Sequence, residues 1–406
     1  MMPSLNIGIL TFHAQQNYGG VLQAFALQQA LSRLFPAAEV RMVDRWISAT
    51  NGGLQDPFAG VKMRGRLFLR LLMRLGDWAP ETRRTRTRRW ICSHMALTPD
   101  HFADWAEFVA RRLPVPEVLV VGSDQVWHAG KWGDPRVYLL HGAPAMRAIA
   151  YAASFGMTRE DAREMAELYR EGLPKFAAIS CREAEGIAIC ADLNLAAEHV
   201  VDPTLLVGRE FWRSVVRPRR SRRSRLFAYV LSEDVQAVRE RLETFGGEMD
   251  CMAELFSGNT PSWWWGPMPK NVRTLREWWR ALRRRRCDRA RMRLDAGPQE
   301  FLDSIAAADW VVTDSFHALM FAIIFKRNVR VLRPRSESRR QMFARIEEFA
   351  AHATGPLIAD DLDAALSSFR RGETVAFDEP WLEARRRFSA DWLTAQIEAA
   401  RKAVGK

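Results

Sequence analysis

Cysteine is scarce in this sequence, with five residues in 406: Cys92, Cys181, Cys190, Cys251 and Cys287. The number is odd, the positions are scattered, and there is no C-x-x-C pair. That pattern argues against a disulfide framework and against a zinc site, so no metal is expected and a reducing cytoplasm is the natural compartment. Long hydrophobic runs are missing too. The apolar run that ends at Phe325 falls far short of the roughly 20 residues that cross a bilayer. The opening residues, MMPSLNIGILTF, have no basic region and no small-residue cleavage pattern, so they read as a strand and not as a signal peptide. There is no internal repeat and no low-complexity tail. What remains is a globular chain, 48% hydrophobic and long enough for two domains.

Charge is what the sequence has in excess, with a formal net of +12 at neutral pH. Such a field favours an anionic partner: a phosphorylated substrate, a nucleic acid or an acidic membrane face. The arginines cluster in three places, Met63 to Trp90, Arg217 to Arg225 and Trp278 to Arg293.

Strand and helix patterns alternate along the chain. LNIGILTF reads as a first strand, followed by the loop HAQQNYGG and a helix over Val21 to Phe35. RMVD (Arg41 to Asp44), EVLVVGSD (Glu117 to Asp124), AIAYAAS (Ala148 to Ser154), AAISCRE (Ala177 to Glu183) and HVVDPTLL (His199 to Leu206) read as further strands. The pattern predicts doubly wound α/β architecture. A basic linker over 207–225 then leads to a second α/β series that begins at LFAYVL. The expected division is a domain over 1–206, a linker over 207–225, a domain over 226–376 and a C-terminal helix over 377–406. Two Rossmann-type domains facing a cleft, closed by that helix, would hold ligands between them.

Polar residues gather where strands end. In HAQQNYGG, Asn17, Gly19 and Gly20 precede a helix start, where backbone N–H groups can bind anions or hydroxyls. A plain helix cap with a tight turn explains the same residues. In VVGSDQVW, Ser123, Asp124 and Gln125 offer hydrogen bonds beside Trp127, an arrangement suited to a sugar; an Asx-type turn with Trp127 in the core is the alternative. Arg182, after a buried strand, can grip a carboxylate or phosphate, or form a salt bridge with Glu183 or Glu185. In TDSFHALMFAIIF, a buried strand runs into an apolar helix, which places His317 in the first helical turn at the carboxyl end of a strand. Ligands of open α/β sheets bind there.

Taken in order, IGILTFHAQQNYGGVLQAFALQ, VVGSDQVW, IAYAASFG, AAISCREAEGI, VVDPTLLV and AAADWVVTDSFHALMFAIIF resemble the polysaccharide pyruvyl transferase family, from Ile7 to about Leu332. The resemblance implies a GT-B-like fold. It also implies transfer of the enolpyruvyl unit of phosphoenolpyruvate onto sugar hydroxyls, leaving a ketal on a cell-surface or exopolysaccharide glycan. Phosphoenolpyruvate is then a donor substrate, and no cofactor is called for. By the same resemblance His317 is the proton-transfer residue and Arg182 the donor anchor. Gln23 joins Asn17, Gly19 and Gly20, with Ser123, Asp124, Gln125 and Trp127, among the substrate-binding positions. Some members carry an arginine where this chain has Ser315. The charge it would supply is looked for at Arg333 or Arg335.

The segment from Trp263 to Arg293 is rich in tryptophan and arginine and matches nothing in that pattern. It reads as a landing surface for a lipid-linked glycan at an acidic membrane face, as an acceptor platform, or as an inserted helix packed on the domain. A GT-B glycosyltransferase using a nucleotide sugar is the alternative function. Nucleic acid is not the expected partner, because the sharpest polar motifs lie at strand ends and not among the arginine clusters.

Overall fold

A computed structural model describes residues 5–45, 79–102, 107, 116–128, 134–142, 147–217, 223–257, 289–334 and 337–402. The tryptophan-rich stretch up to Cys287, residues 218–222 of the expected basic linker and Arg335 lie outside the described residues. Two units divide the chain. The first takes Met1–Asp77, Arg84–Phe211 and Glu379–Lys406, and the second takes Trp78–Arg83 and Trp212–Asp378.

The first unit is built on a seven-stranded sheet. Its strands are β1 (Asn6–Leu10), β2 (Glu39–Arg45), β3 (Leu97–Phe102), β4 (Val118–Val121), β5 (Ala148–Ala153), β6 (Phe176–Cys181) and β7 (Glu198–His199), ordered β3-β2-β1-β4-β5-β6-β7. Every pairing is parallel. Parallel sheets bury both faces, so central strands read as continuous apolar runs. VLVV of β4 and AIAYAA of β5 are buried at every position. The first helix, Tyr18–Leu34, is buried on most of its circumference. Beyond the sheet it meets other elements: Phe25 packs against Trp90 and Phe211. The helix Glu379–Lys402 also belongs to this unit, where it packs against β4, β5 and β6. Its Ser389 Oγ accepts the Val201 N–H at 3.0 Å.

The expectation of a strand over His199 to Leu206 is corrected. Only Glu198–His199 pairs with β6, and a short helix, Pro203–Leu206, comes next. Asp202 caps that helix and Pro203 fills its first position, where the missing N–H costs nothing. A second helix, Gly208–Val215, occupies the start of the stretch read as linker.

The second unit carries a six-stranded parallel sheet. It includes β8 (Arg225–Tyr229), β9 (Met252–Phe256), β10 (Ala290–Met292), β11 (Trp310–Thr313) and β12 (Asn328–Leu332), in the order β10-β9-β8-β11-β12, with Ile358–Ala359 beside β12. All its pairings are parallel. The helix Phe316–Phe325 is buried at all ten positions, which explains its unbroken apolar sequence. Among the described residues no helix is long and apolar enough to cross a membrane.

Candidate active site

Each sheet has one place where strand order reverses. In the first it lies between β1, whose successors run outward through β2 and β3, and β4, whose successors run the other way. In the second it lies between β8 and β11. Loops leaving such a pair diverge and open a crevice at the carboxyl ends of the strands. Most of the candidate residues fall in loops of this kind.

At the first reversal a closed set of hydrogen bonds joins the loop after β1 to the loop after β4. Thr11 Oγ donates to the Ser123 carbonyl at 2.8 Å, and Gln23 Nε2 donates to Thr11 Oγ at 3.0 Å and to the Gly20 carbonyl at 2.8 Å. Ser123 Oγ donates in turn to Gln23 Oε1 at 3.0 Å. Asn17 caps the Tyr18–Leu34 helix by accepting the Gly19 N–H at 3.0 Å. At Gly20 a Cβ would sit 3.2 Å from Asp124 Oδ2, 3.3 Å from the Phe12 carbonyl and 3.7 Å from Gln15 Oε1. The missing side chain lets both loops close over the start of the helix. Asp124 adopts a left-handed backbone, φ 73°, which few residues other than glycine tolerate and which aspartate accepts more readily than most.

Asp124 also carries the strongest electrostatic feature of the unit. Arg182 Nη2 lies 3.0 Å from Asp124 Oδ1, Nη1 lies 3.0 Å from Asp202 Oδ2, and Nε lies 3.6 Å from Glu183 Oε2. All of these side chains are buried, that of Arg182 1% exposed and that of Asp202 0%. Asp202 Oδ1 is satisfied by the Thr204 N–H and hydroxyl, at 2.9 and 2.7 Å. Burial alone would lower the affinity of Arg182 for its proton, but the charges of Asp124, Asp202 and Glu183 outweigh it and raise the pKa. The guanidinium that the resemblance assigned to a donor anion is therefore held by carboxylates: Asp124 and Asp202 fill its two Nη groups, and Glu183, which the sequence offered for a salt bridge, faces Nε.

Trp127 requires a correction. It is fully buried, with Nε1 donating to the Tyr138 carbonyl at 3.3 Å and its ring packed on Phe155 and Phe176. No face of it meets solvent, so it supports the loop from below and does not stack on a sugar. Gln125 is buried as well, and Gly156 leaves room for its side chain.

At the second reversal β11 runs into the helix Phe316–Phe325 through Asp314 and Ser315. Thr313 Oγ donates to the Tyr229 carbonyl at 2.6 Å and accepts the Ser315 N–H at 3.0 Å. Asp314 accepts the N–H groups of Leu231 at 2.8 Å and Ser232 at 2.7 Å, tying the loop after β8 to the loop after β11. Ser315 stands at the cap position, and its hydroxyl makes no capping bond. His317 lies in the first turn, 8% exposed, beside the Phe316 ring. A histidine held on a rigid, wholly buried helix, next to a helix N-terminus, is well placed to hold an anion or move a proton.

Arg333 comes directly after β12 and is exposed. Its contacts with Asp360 and Glu347, at 3.4 and 3.9 Å, are loose, and it lies over the Phe343 ring. Sequence reasoning missed Arg345, which is nine-tenths buried with its guanidinium 5.0 Å from the centre of the Phe316 ring, next to His317. The only signal for it was an arginine on the buried face of an otherwise polar helix.

Two doubly wound units, each with polar side chains gathered where its strand order reverses, define a GT-B-like fold. Solved structures with this fold include S. aureus MnaA in a co-structure with UDP, at 9% identity, 98% of this chain, 97% of that chain and a TM-score of 0.53. UDP-N-acetylglucosamine 2-epimerase from Rickettsia bellii matches at 8% identity, over 98% and 97% of the two chains, with a TM-score of 0.53. UDP-GlcNAc 2-epimerase from Neisseria meningitidis bound to UDP-GlcNAc matches at 8%, over 97% and 99%, with a TM-score of 0.50. At such identities the likeness is one of fold. No curated protein matches the chain.

The particular family comes from the sequence model of polysaccharide pyruvyl transferases, which matches residues 17–336. The chain belongs to that family. It is a transferase, and membership implies a polysaccharide acceptor.

Proposed function

We propose that the protein transfers pyruvate from phosphoenolpyruvate to two hydroxyls of a cell-envelope or exopolysaccharide glycan, forming a ketal. The observation that carries this reading is the match over residues 17–336, which takes in strand-end motifs of both units, together with the position of His317 at the order reversal of the second sheet. The donor brings a phosphate and a carboxylate. Protonating its methylene carbon makes C2 electrophilic, and sugar hydroxyls attack there. His317 serves as the proton-transfer residue, with the first-turn N–H groups of its helix available to the donor's negative charge.

The hydrogen-bonding set of Thr11, Gln23, Ser123 and Asp124 suits hydroxyl recognition. For Arg182 to grip the donor, an anion has to displace one of its carboxylates. Exchange at Nη2 would release Asp124 toward an acceptor hydroxyl, a trade of one ion pair for another in a buried setting. Arg333, exposed at the carboxyl end of the strand beside β11, stands in for the charge that Ser315 does not supply. The glycan is lipid-linked or free, and the basic character of the chain suits contact with an acidic membrane face.

Titration calorimetry with phosphoenolpyruvate, using UDP-glucose as the comparison, tests this on the wild type, Arg182→Lys and His317→Ala. Phosphoenolpyruvate is expected to bind the wild type and His317→Ala but to bind Arg182→Lys more weakly, since lysine loses the two-pronged grip. His317→Ala should lose about 10²–10⁴ in transfer rate. Binding of the nucleotide sugar alone would replace this reading with glycosyl transfer.

A further inference from the structure

Two buried polar atoms in the loop after β1 take no part in the ring of hydrogen bonds around Gln23. His13 is 0% exposed. Its Nε2 lies 3.1 Å from Asp44 Oδ1 at the end of β2, and its Nδ1 meets no hydrogen-bonding partner among the described residues. Gln15, two residues on, is 2% exposed and its Nε2 is likewise unpartnered among them, while its Oε1 faces Gly20 in the same pocket of space as Asp124 Oδ2. A buried polar atom without a partner costs about 1–3 kcal/mol, and native proteins keep few of them. Two within three residues, in one loop of a strand-order reversal, mark a place built for a ligand with both a hydrogen to give and an oxygen to receive one. A sugar bearing adjacent hydroxyls has that chemistry.

The pairing with Asp44 sets the direction. A carboxylate only accepts, so Nε2 carries the imidazole proton and Nδ1 presents a lone pair. On this basis we infer that His13 is the base that takes the proton of the attacking acceptor hydroxyl, that Asp44 holds it in that tautomer, and that Gln15 Nε2 donates to a neighbouring sugar oxygen. The inference rests on the pyruvyl-transfer reading and deepens it. As the hydroxyl oxygen bonds to C2 of phosphoenolpyruvate, its proton passes to His13 Nδ1, and the C2=C3 electron pair takes up a proton at C3. The C2–O bond to phosphate then breaks with its electron pair and the second hydroxyl closes the ketal. Of the two hydroxyl protons one is balanced by the proton gained at C3, and the other leaves with phosphate. His101 is a further titratable group of this cluster, with Nδ1 3.5 Å from Asp44 Oδ2.

The test measures pyruvate transfer from phosphoenolpyruvate to p-nitrophenyl hexosides with free 4- and 6-hydroxyls, alongside calorimetric binding of phosphoenolpyruvate and melting temperature. His13→Gln, which keeps a donor for Asp44, is expected to lose about 10²–10⁴ in kcat with donor binding unchanged. Gln15→Leu should raise KM for the hexoside and alter kcat little. Asp44→Asn, whose amide can donate to Nε2 and turn the Nδ1 lone pair into an N–H, should lower kcat without abolishing donor binding. Wild-type kcat in His13→Gln, or a kcat loss matched by lost donor binding and a lowered melting temperature, overturns the inference while the pyruvyl reading stands. A wild-type enzyme that binds no phosphoenolpyruvate overturns both.

Discussion

The two sheets share one plan and furnish their order reversals differently. In the first unit the reversal holds a buried ion cluster, one guanidinium against three carboxylates: Arg182 with Asp124, Asp202 and Glu183, with a ring of neutral hydrogen bonds beside them. In the second the backbone does most of the work. Asp314 is spent on two N–H groups of the β8 loop, and a helix N-terminus with an uncapped Ser315 carries His317. A cluster whose cation is already held by carboxylates offers hydrogen-bond acceptors to the hydroxyls of a glycan, and takes an anion only by exchange at Arg182. A helix start presenting N–H groups suits an anion. The same topology can therefore serve two kinds of substrate by changing only the loops at the strand ends.

The comparison can be broken by substitution. Asp202→Ala leaves a buried guanidinium short of a carboxylate and should destabilise the protein by roughly 3–5 kcal/mol in denaturant titration. Asp314→Ala, which strands two partly buried N–H groups, should cost less, on the order of 2 kcal/mol. Equal losses would show that the two reversals do not differ in how they are held. Gln23→Leu removes a hub of neutral bonds and should cost about 1–3 kcal/mol in the same measurement.

The smallest effect is chemical. Cys181 is pushed well up by its hydrogen bond to Cys190 and by burial, and burial pushes Cys251 up to about 11. A raised pKa keeps the unreactive thiol form at neutral pH, so iodoacetamide at pH 8 should modify exposed Cys92 and spare Cys181 and Cys251. Reactivity at Cys251 should climb only as the pH approaches 11. Early labelling of Cys181 would show the first sheet to be looser than its burial implies.

The central strands were legible because a parallel strand buried on both faces has to be apolar throughout, as VLVV and AIAYAA are. β3 was not. LTPDHF is a polar edge strand containing Pro99, and only an edge tolerates a residue with no N–H to donate. His317 was placed correctly from the switch of a β-branched run into an unbroken helical one. Of the partners of Arg182 only adjacent Glu183 was legible; Asp124 and Asp202 lie 58 and 20 residues away, and only the closed sheet brings them together. Trp127 shows the opposite limit. A tryptophan beside carboxylate and amide groups looks the same in sequence whether its ring lines a site or fills the core beneath one. Pairing partners and burial are tertiary facts, and periodicity records them only for the groups that repeat.

The helix Glu379–Lys402 returns to the first unit after the chain has traversed the second. Its Ser389 takes the Val201 N–H, Arg385 Nη2 donates to the His199 carbonyl at 2.8 Å, and Trp392 approaches Tyr151. During synthesis, at about 5–20 residues per second, the first sheet therefore waits roughly 10 to 38 s after Phe211 is added before its last layer, complete at Lys402, exists. Over that interval the backs of β4, β5 and β6 are open to the ribosome's surroundings.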